Sequence, residues 1–153
     1  MSDVTVAVDG AHVALVEIHR PPANFFDVAL IRAIADAYAA LDADPACRAI
    51  VLCSEGKHFC AGANFSAAAG SAAEEPRPLY EQALRLFRSQ TPVVAAVQGA
   101  AVGGGLGLAL SADFRVATPE SRFSANFSRL GFHHGFGLTV TLPALAGAYV
   151  MPG

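Results

Sequence analysis

Apolar and polar positions alternate with a period of two at the start of the chain. Val4-Thr5-Val6-Ala7-Val8 is rich in β-branched residues, and the alternation resumes from His12 to Ile18. The intervening Asp9-Gly10 predicts a hairpin closed by a two-residue turn. Arg20-Pro21-Pro22 stops the second strand, because proline cannot donate to a ladder. The period then lengthens. Asp27 is placed to cap a helix over 28–41, whose Ile31, Ile34, Ala35, Tyr38 and Leu41 share one face. Arg48 to Cys53 is a short apolar run bounded by polar turns, as in a strand buried on both faces. Ala67 to Pro78, small and proline-broken, reads as a loop. A helix over 79–88, a strand over 92–97, a short helix over 104–111 and a strand over 113–117 follow. Residues 123–137 show no clear period, and 138–145 is apolar and looks like the start of a helix, with Pro143 placed to interrupt it. Strands alternating with helices predict an α/β class in a single domain.

Composition sharpens this. The chain has 153 residues, 54% apolar and only 15% charged, with a net charge of −3. Its mean hydropathy is +0.43. These values exclude a disordered chain, and they are unusual for a small soluble domain. Such a chain either buries an unusual amount of surface or covers some of it with other subunits. The ten Lys and Arg residues form no basic run or stripe, so no footprint for nucleic acid exists. Cys47, Cys53 and Cys60 are odd in number and form no C-x-x-C pair, which yields neither a disulfide framework nor a zinc site. No metal site is expected. The first ten residues lack a basic n-region and an apolar h-region, so the expected location is the cytoplasm. Val93 to Leu110 has the length of a membrane span, but Gln98, Gly99, the triplet Gly103-Gly104-Gly105 and Gly107 favour strand, glycine turn and helix. No membrane partner is expected.

Two glycine-bearing loops carry the candidate chemistry. The first, Phe59 to Asn64, follows the strand ending at Cys53. The second, Gln98 to Gly107, follows the strand ending at Val97. Small residues let a backbone come close to a ligand. Backbone N–H groups entering a helix are unpaired, and two aimed at one point form an oxyanion hole. Each loop by itself is equally served by tight strand–helix packing. The second loop is neither a P-loop nor a dinucleotide fingerprint, since no Gly-Lys-Ser/Thr follows.

Taken together, the loops resemble the crotonase family, the enoyl-CoA hydratase/isomerase superfamily. The likeness is carried in order by His19-Arg20-Pro21-Pro22-Ala23-Asn24, by Gly56 to Asn64, by Thr91 to Gly99 with Val102-Gly103-Gly104-Gly105, and by Asp113, Phe123 and Leu130-Gly131. The resemblance implies a spiral of ββα units and an acyl-CoA thioester as substrate, with no separate cofactor. It implies that the N–H groups of Ala63 and Gly104 hold the thioester oxygen. Ala61, Gly62, Ala63, Asn64, Gly103 and Gly104 would then line the ligand. Lys57 is a candidate phosphate partner, although a lone lysine is ordinarily just solvated.

The chain departs from the family pattern where protons must move. The two glutamate positions of the hydratases fall on Gly107 and Phe127, and the aspartate position of some isomerases falls near His134 or Gly135. Hydration needs an acid and a base, so ordinary hydratase turnover is not expected. His134, beside His133, is the candidate substitute. A His58–Cys60 nucleophile is disfavoured, with Cys60 read as a buried packer. The resemblance also implies that residues 1–153 form an incomplete, C-terminally truncated core. The helices that build a trimer or hexamer would then belong only to a full-length chain. A degenerate acyl-CoA-binding paralogue and a subunit-interaction module are the competing readings.

Overall fold

The computed structural model describes residues 2–63 and 77–147. β1 (Val4–Val8) and β2 (Val13–Ile18) pair antiparallel, with Val4 opposite Ile18 and Val8 opposite Ala14. The connection is wider than the predicted two-residue turn. Asp9 Oδ1 accepts from the N–H groups of Ala11 and Val13, both at 2.9 Å, and the positive φ falls at His12 rather than Gly10. One carboxylate satisfying two loop donors holds the four-residue loop 9–12 in place of an Asp-Gly turn.

Helix α1 (Val28–Asp42) carries the chain from β2 across to β3 (Ala49–Ser54), which lies parallel to β2. Asp27 caps it, its side chain accepting from the Leu30 N–H at 2.8 Å. The five predicted apolar positions are all buried, together with Leu30. Helix α2 (Arg77–Leu86) starts two residues earlier than expected, because Pro78 lies in the first turn, where a missing N–H costs nothing. Most of the loop predicted over 67–78 lies outside the described residues. β4 (Val93–Val97) continues the parallel sheet beside β3, and β6 (Phe114–Ala117) follows at its edge.

Alternate residues of three strands (Ala14, Val16, Ile18, Ile50, Leu52, Val93, Ala95 and Val97) pack under α1 and α2 to form the core. The other face is only half covered: Ala49, Val51 and Cys53 are intermediate, and Leu15 is exposed. β3 is thus not buried on both faces, because both large helices lie on one side. Phe114 and Val116 at the sheet edge are each 64% exposed, so the apolar composition is only partly absorbed by this core.

Two short strands escaped the periodic reading. β5 (Ala100–Val102) and β7 (Arg122–Ser124) pair in parallel as a second, two-stranded sheet. Three-residue strands are too short to show a period. Helix α3 (Gly104–Leu110) follows β5 directly, as expected. Helix α4 (Leu138–Ala146) runs through Pro143. The proline forfeits one N–H bond to the preceding turn, but Leu138 and Leu142 still pack beside Leu106 and Leu110 of α3, and the Gly147 N–H closes on Pro143 O at 2.9 Å. Among the described residues, no helix is long and apolar enough to cross a membrane.

Asp42 joins the end of α1 to the entry of β4. Its carboxylate accepts from the N–H groups of Gln90 (3.0 Å) and Thr91 (2.8 Å) and from the Ser89 hydroxyl (3.3 Å). Desolvation works to raise this carboxyl, but the hydrogen bonds outweigh it and hold it below the ordinary range. A depressed folded value means stability that is complete above the unfolded pKa of about 3.9 and lost as pH falls through the folded value. Asp42→Asn is therefore expected to cost about 1 kcal/mol at pH 7. Denaturant titrations at pH 7 and pH 3 should show that difference from wild type shrinking in acid. Asp27→Ala, which removes the cap of α1, is expected to cost about 1 kcal/mol by the same measurement at pH 7.

Candidate functional site

The two glycine loops are bonded side by side. Phe59 N–H donates to Gln98 O (2.8 Å), Cys60 N–H to Ala100 O (3.0 Å) and Val102 N–H to Cys60 O (3.0 Å). β5 thereby gains Cys60 on one edge while β7 occupies the other, with Gly103 N–H donating to Ser124 O at 2.8 Å. Two buried or half-buried amides brace the entry. Gln98 Nε2 donates to the carbonyls of Ser54 and Gly56, and Asn24 Nδ2 donates to those of Glu55 (2.8 Å) and His58 (2.6 Å). Asn24 is fully buried, so the cost of its desolvation is offset only because the amide is bonded.

Phe26 links the two expected oxyanion residues, and nothing in the sequence pattern marked it. Its N–H donates to Gly62 O at 3.1 Å, and its backbone bridges to Ala63. Its ring lies so close over Gly104 that a Cβ there would overlap it. Gly105 likewise presses on the carbonyl of Cys60. The glycine triplet is thus required by close approach on two sides, by an aromatic ring and by the first loop. Gly103, with a φ of +56°, turns the chain into α3. The Gly104 N–H is the first of that helix and has no acceptor within it. Ala61, Gly62, Ala63, Gly103 and Gly104 all fall in this junction, whereas Asn64 lies outside the described residues.

The expected carboxylate positions are filled with aromatic rings. Gly107 lies against Phe136, whose Cβ would stand 2.5 Å from a Cβ at position 107. Phe127 packs with Leu106, Leu110 and Leu138. After Glu81 the chain carries only two acidic side chains, Asp113 and Glu120. Asp113 Oδ2 accepts from the Val93 N–H at 2.8 Å, at the opposite end of β4 from the glycine loop. Glu120 is exposed in the turn after β6. His133 and His134 stack with ring centroids 4.5 Å apart, and His133 Nδ1 meets the His134 carbonyl at 2.8 Å. His134 is half-buried, two residues before Phe136.

The cysteines do not supply a nucleophile. Cys60 is fully buried, and burial pushes its thiol up to about 11 against the lowering effect of the Gly62 and Phe26 amides. Burial does the same to Cys53, with Glu17 adding to the shift, again up to about 11. His58 Nδ1 instead accepts from the Ala100 N–H at 3.2 Å. Lys57 is exposed. No group of three His, Cys, Asp or Glu suited to a metal ion occurs among the described residues.

Comparison with known proteins accounts for this arrangement. The chain is 38% identical over 152 residues to the "Probable enoyl-CoA hydratase EchA14" of Mycobacterium tuberculosis, a match covering 96% of this chain and 59% of that protein. It is 36% identical over 140 residues to the crotonyl-CoA hydratase of Syntrophomonas wolfei, covering 88% of this chain and 54% of that one. A crystal structure of a probable enoyl-CoA hydratase/isomerase from Mycobacterium abscessus superposes with a TM-score of 0.85 at 37% identity, over 98% of this chain and 59% of that one. The chain therefore spans less than two thirds of the length of these relatives. The family model for enoyl-CoA hydratase/isomerase matches residues 9–150. With both signature loops bonded in register and nearly the whole chain matched, this protein belongs to the enoyl-CoA hydratase/isomerase family.

Proposed function

We propose that this chain binds an acyl-CoA thioester and stabilises its enolate between the backbone N–H groups of Ala63 and Gly104. The observation that carries the reading is the backbone pairing of the two loops, with Phe26 set against both of those residues. Negative charge grows on the thioester oxygen as the α-proton leaves, so donors fixed in advance favour the transition state over the ground state. Removing one such donor costs about 3 kcal/mol in comparable sites. Ala61 to Asn64 and Gly103 would line the ligand. Substrate enters as a coenzyme A ester, and the reading calls for no further cofactor.

Hydration is not part of this proposal, because Gly107 and Phe127 bring no carboxylate. His134 is assigned the proton transfer, since an imidazole can both accept and donate a proton and this residue lies in the loop whose Phe136 packs against Gly107 of α3. A second reading, a non-catalytic acyl-CoA binder, is favoured by the same aromatic filling at Gly107 and Phe127.

Isothermal titration of acetyl-CoA and crotonyl-CoA into protein shown to melt cooperatively is expected to give heat. Its absence with both ligands would sink the binding claim. Exchange of acyl-CoA α-protons in D2O, followed by mass spectrometry, then separates the two readings. Slow exchange that falls by a factor of about 100 or more in His134→Ala supports the enolate chemistry. Binding with no exchange at all assigns the chain to the binder class.

A further inference from the structure

The second glycine of α3 that faces an aromatic ring points to how the acyl group is selected. Gly104 and Gly107 are three residues apart, so they share one face of the helix. Phe26 covers the first and Phe136 the second. The two rings meet edge to face, with centroids 5.9 Å apart and planes at 70°. They form one aromatic wall along that face, and both are buried, Phe136 with only 3% exposure. Phe136 holds its place with a φ of +56°, a left-handed conformation that a bulky residue adopts only when its surroundings fix it. Its neighbours do so: Gly135 lies on the Tyr80 hydroxyl, Gly137 lies on the ring of Phe87, and Leu138 is fully buried beside Leu106 and Leu110.

We infer that Phe136 is the residue that sets acyl-chain length in this protein. The inference rests on the reading in which the thioester oxygen sits at the start of α3. An acyl group held there and running along α3 meets the Phe26 ring first and the Phe136 ring one turn further on. An aromatic ring at that distance offers apolar contact to a short acyl group and leaves no room for a long one. The same packing makes Gly107 and Phe136 mutually dependent. Any side chain at 107 must displace Phe136, since a Cβ there would lie 2.5 Å from the Phe136 Cβ and 2.7 Å from its Cγ and Cδ1.

The test is a titration series of acetyl-, butyryl-, hexanoyl- and octanoyl-CoA against wild type, Phe136→Gly and Phe136→Leu. Glycine suits the left-handed backbone, so this variant removes the ring without adding strain. Wild type is expected to lose affinity beyond the shortest chains. Phe136→Gly is expected to raise the octanoyl-to-acetyl affinity ratio by about 10-fold or more, with Phe136→Leu intermediate, since each methylene newly seated against apolar surface contributes about 4-fold. A wild-type profile that keeps rising with chain length overturns the inference, whether or not the variants fold. So does an unchanged ratio in variants that melt cooperatively. Silence of folded wild type towards every acyl-CoA, by contrast, overturns the underlying acyl-CoA reading along with it.

Discussion

The site depends on a backbone ladder that side chains do not build. Cys60 bonds to both Ala100 and Val102, and β5 is in turn bonded to β7 on its other edge. A strand of three residues has too few contacts to stand alone, and satisfying both of its edges is what makes it a fixed element. Small residues permit this. A Cβ at Gly105 would overlap the Cys60 carbonyl, and a Cβ at Gly99 would overlap that of Lys57. Once the ladder is in place, the N–H groups that follow it, at Ala63 and Gly104, inherit their positions from it. Their order is therefore a property of the ladder.

Aromatic packing is the second layer of the same construction. Phe26 contributes its N–H to one loop and its ring to the other, so a single residue sets the separation between them. Phe136 extends the wall to Gly107. The result is a helix face lined with ring carbon at both Gly104 and Gly107. In a wall of this kind the low dielectric strengthens nearby hydrogen bonds.

The core itself is one-sided. α1 and α2 cover a single face of the parallel sheet, while Leu15, Phe114 and Val116 remain open, and Val140 on α4 is 74% exposed. Parallel sheets of α/β proteins are ordinarily covered on both faces. The high apolar fraction of the composition is thus divided between a complete core under two helices and a surface the described residues do not bury.

Elements whose signal is local could be read from the chain directly. Asp27 capped α1 as expected, because a cap needs only one side chain three residues from its donor. The face of Ile31, Ile34, Ala35, Tyr38 and Leu41 was legible from its 3.6-residue period, and the strands at β2, β3 and β4 from alternation and apolar runs. The glycine loops and the absence of acidic residues at Gly107 and Phe127 were legible too, since both are matters of residue identity. The Asp9 loop, β5, β7 and the passage of α4 through Pro143 were not, because each is held by partners distant in the chain or by competition among bonds. Phe26 and Phe136 carried no signal at all in a stretch of other aromatic residues. That their rings lie on Gly104 and Gly107 follows from the folded packing alone, because close packing depends on which backbones meet, and a pattern along one chain does not encode the approach of another segment to it.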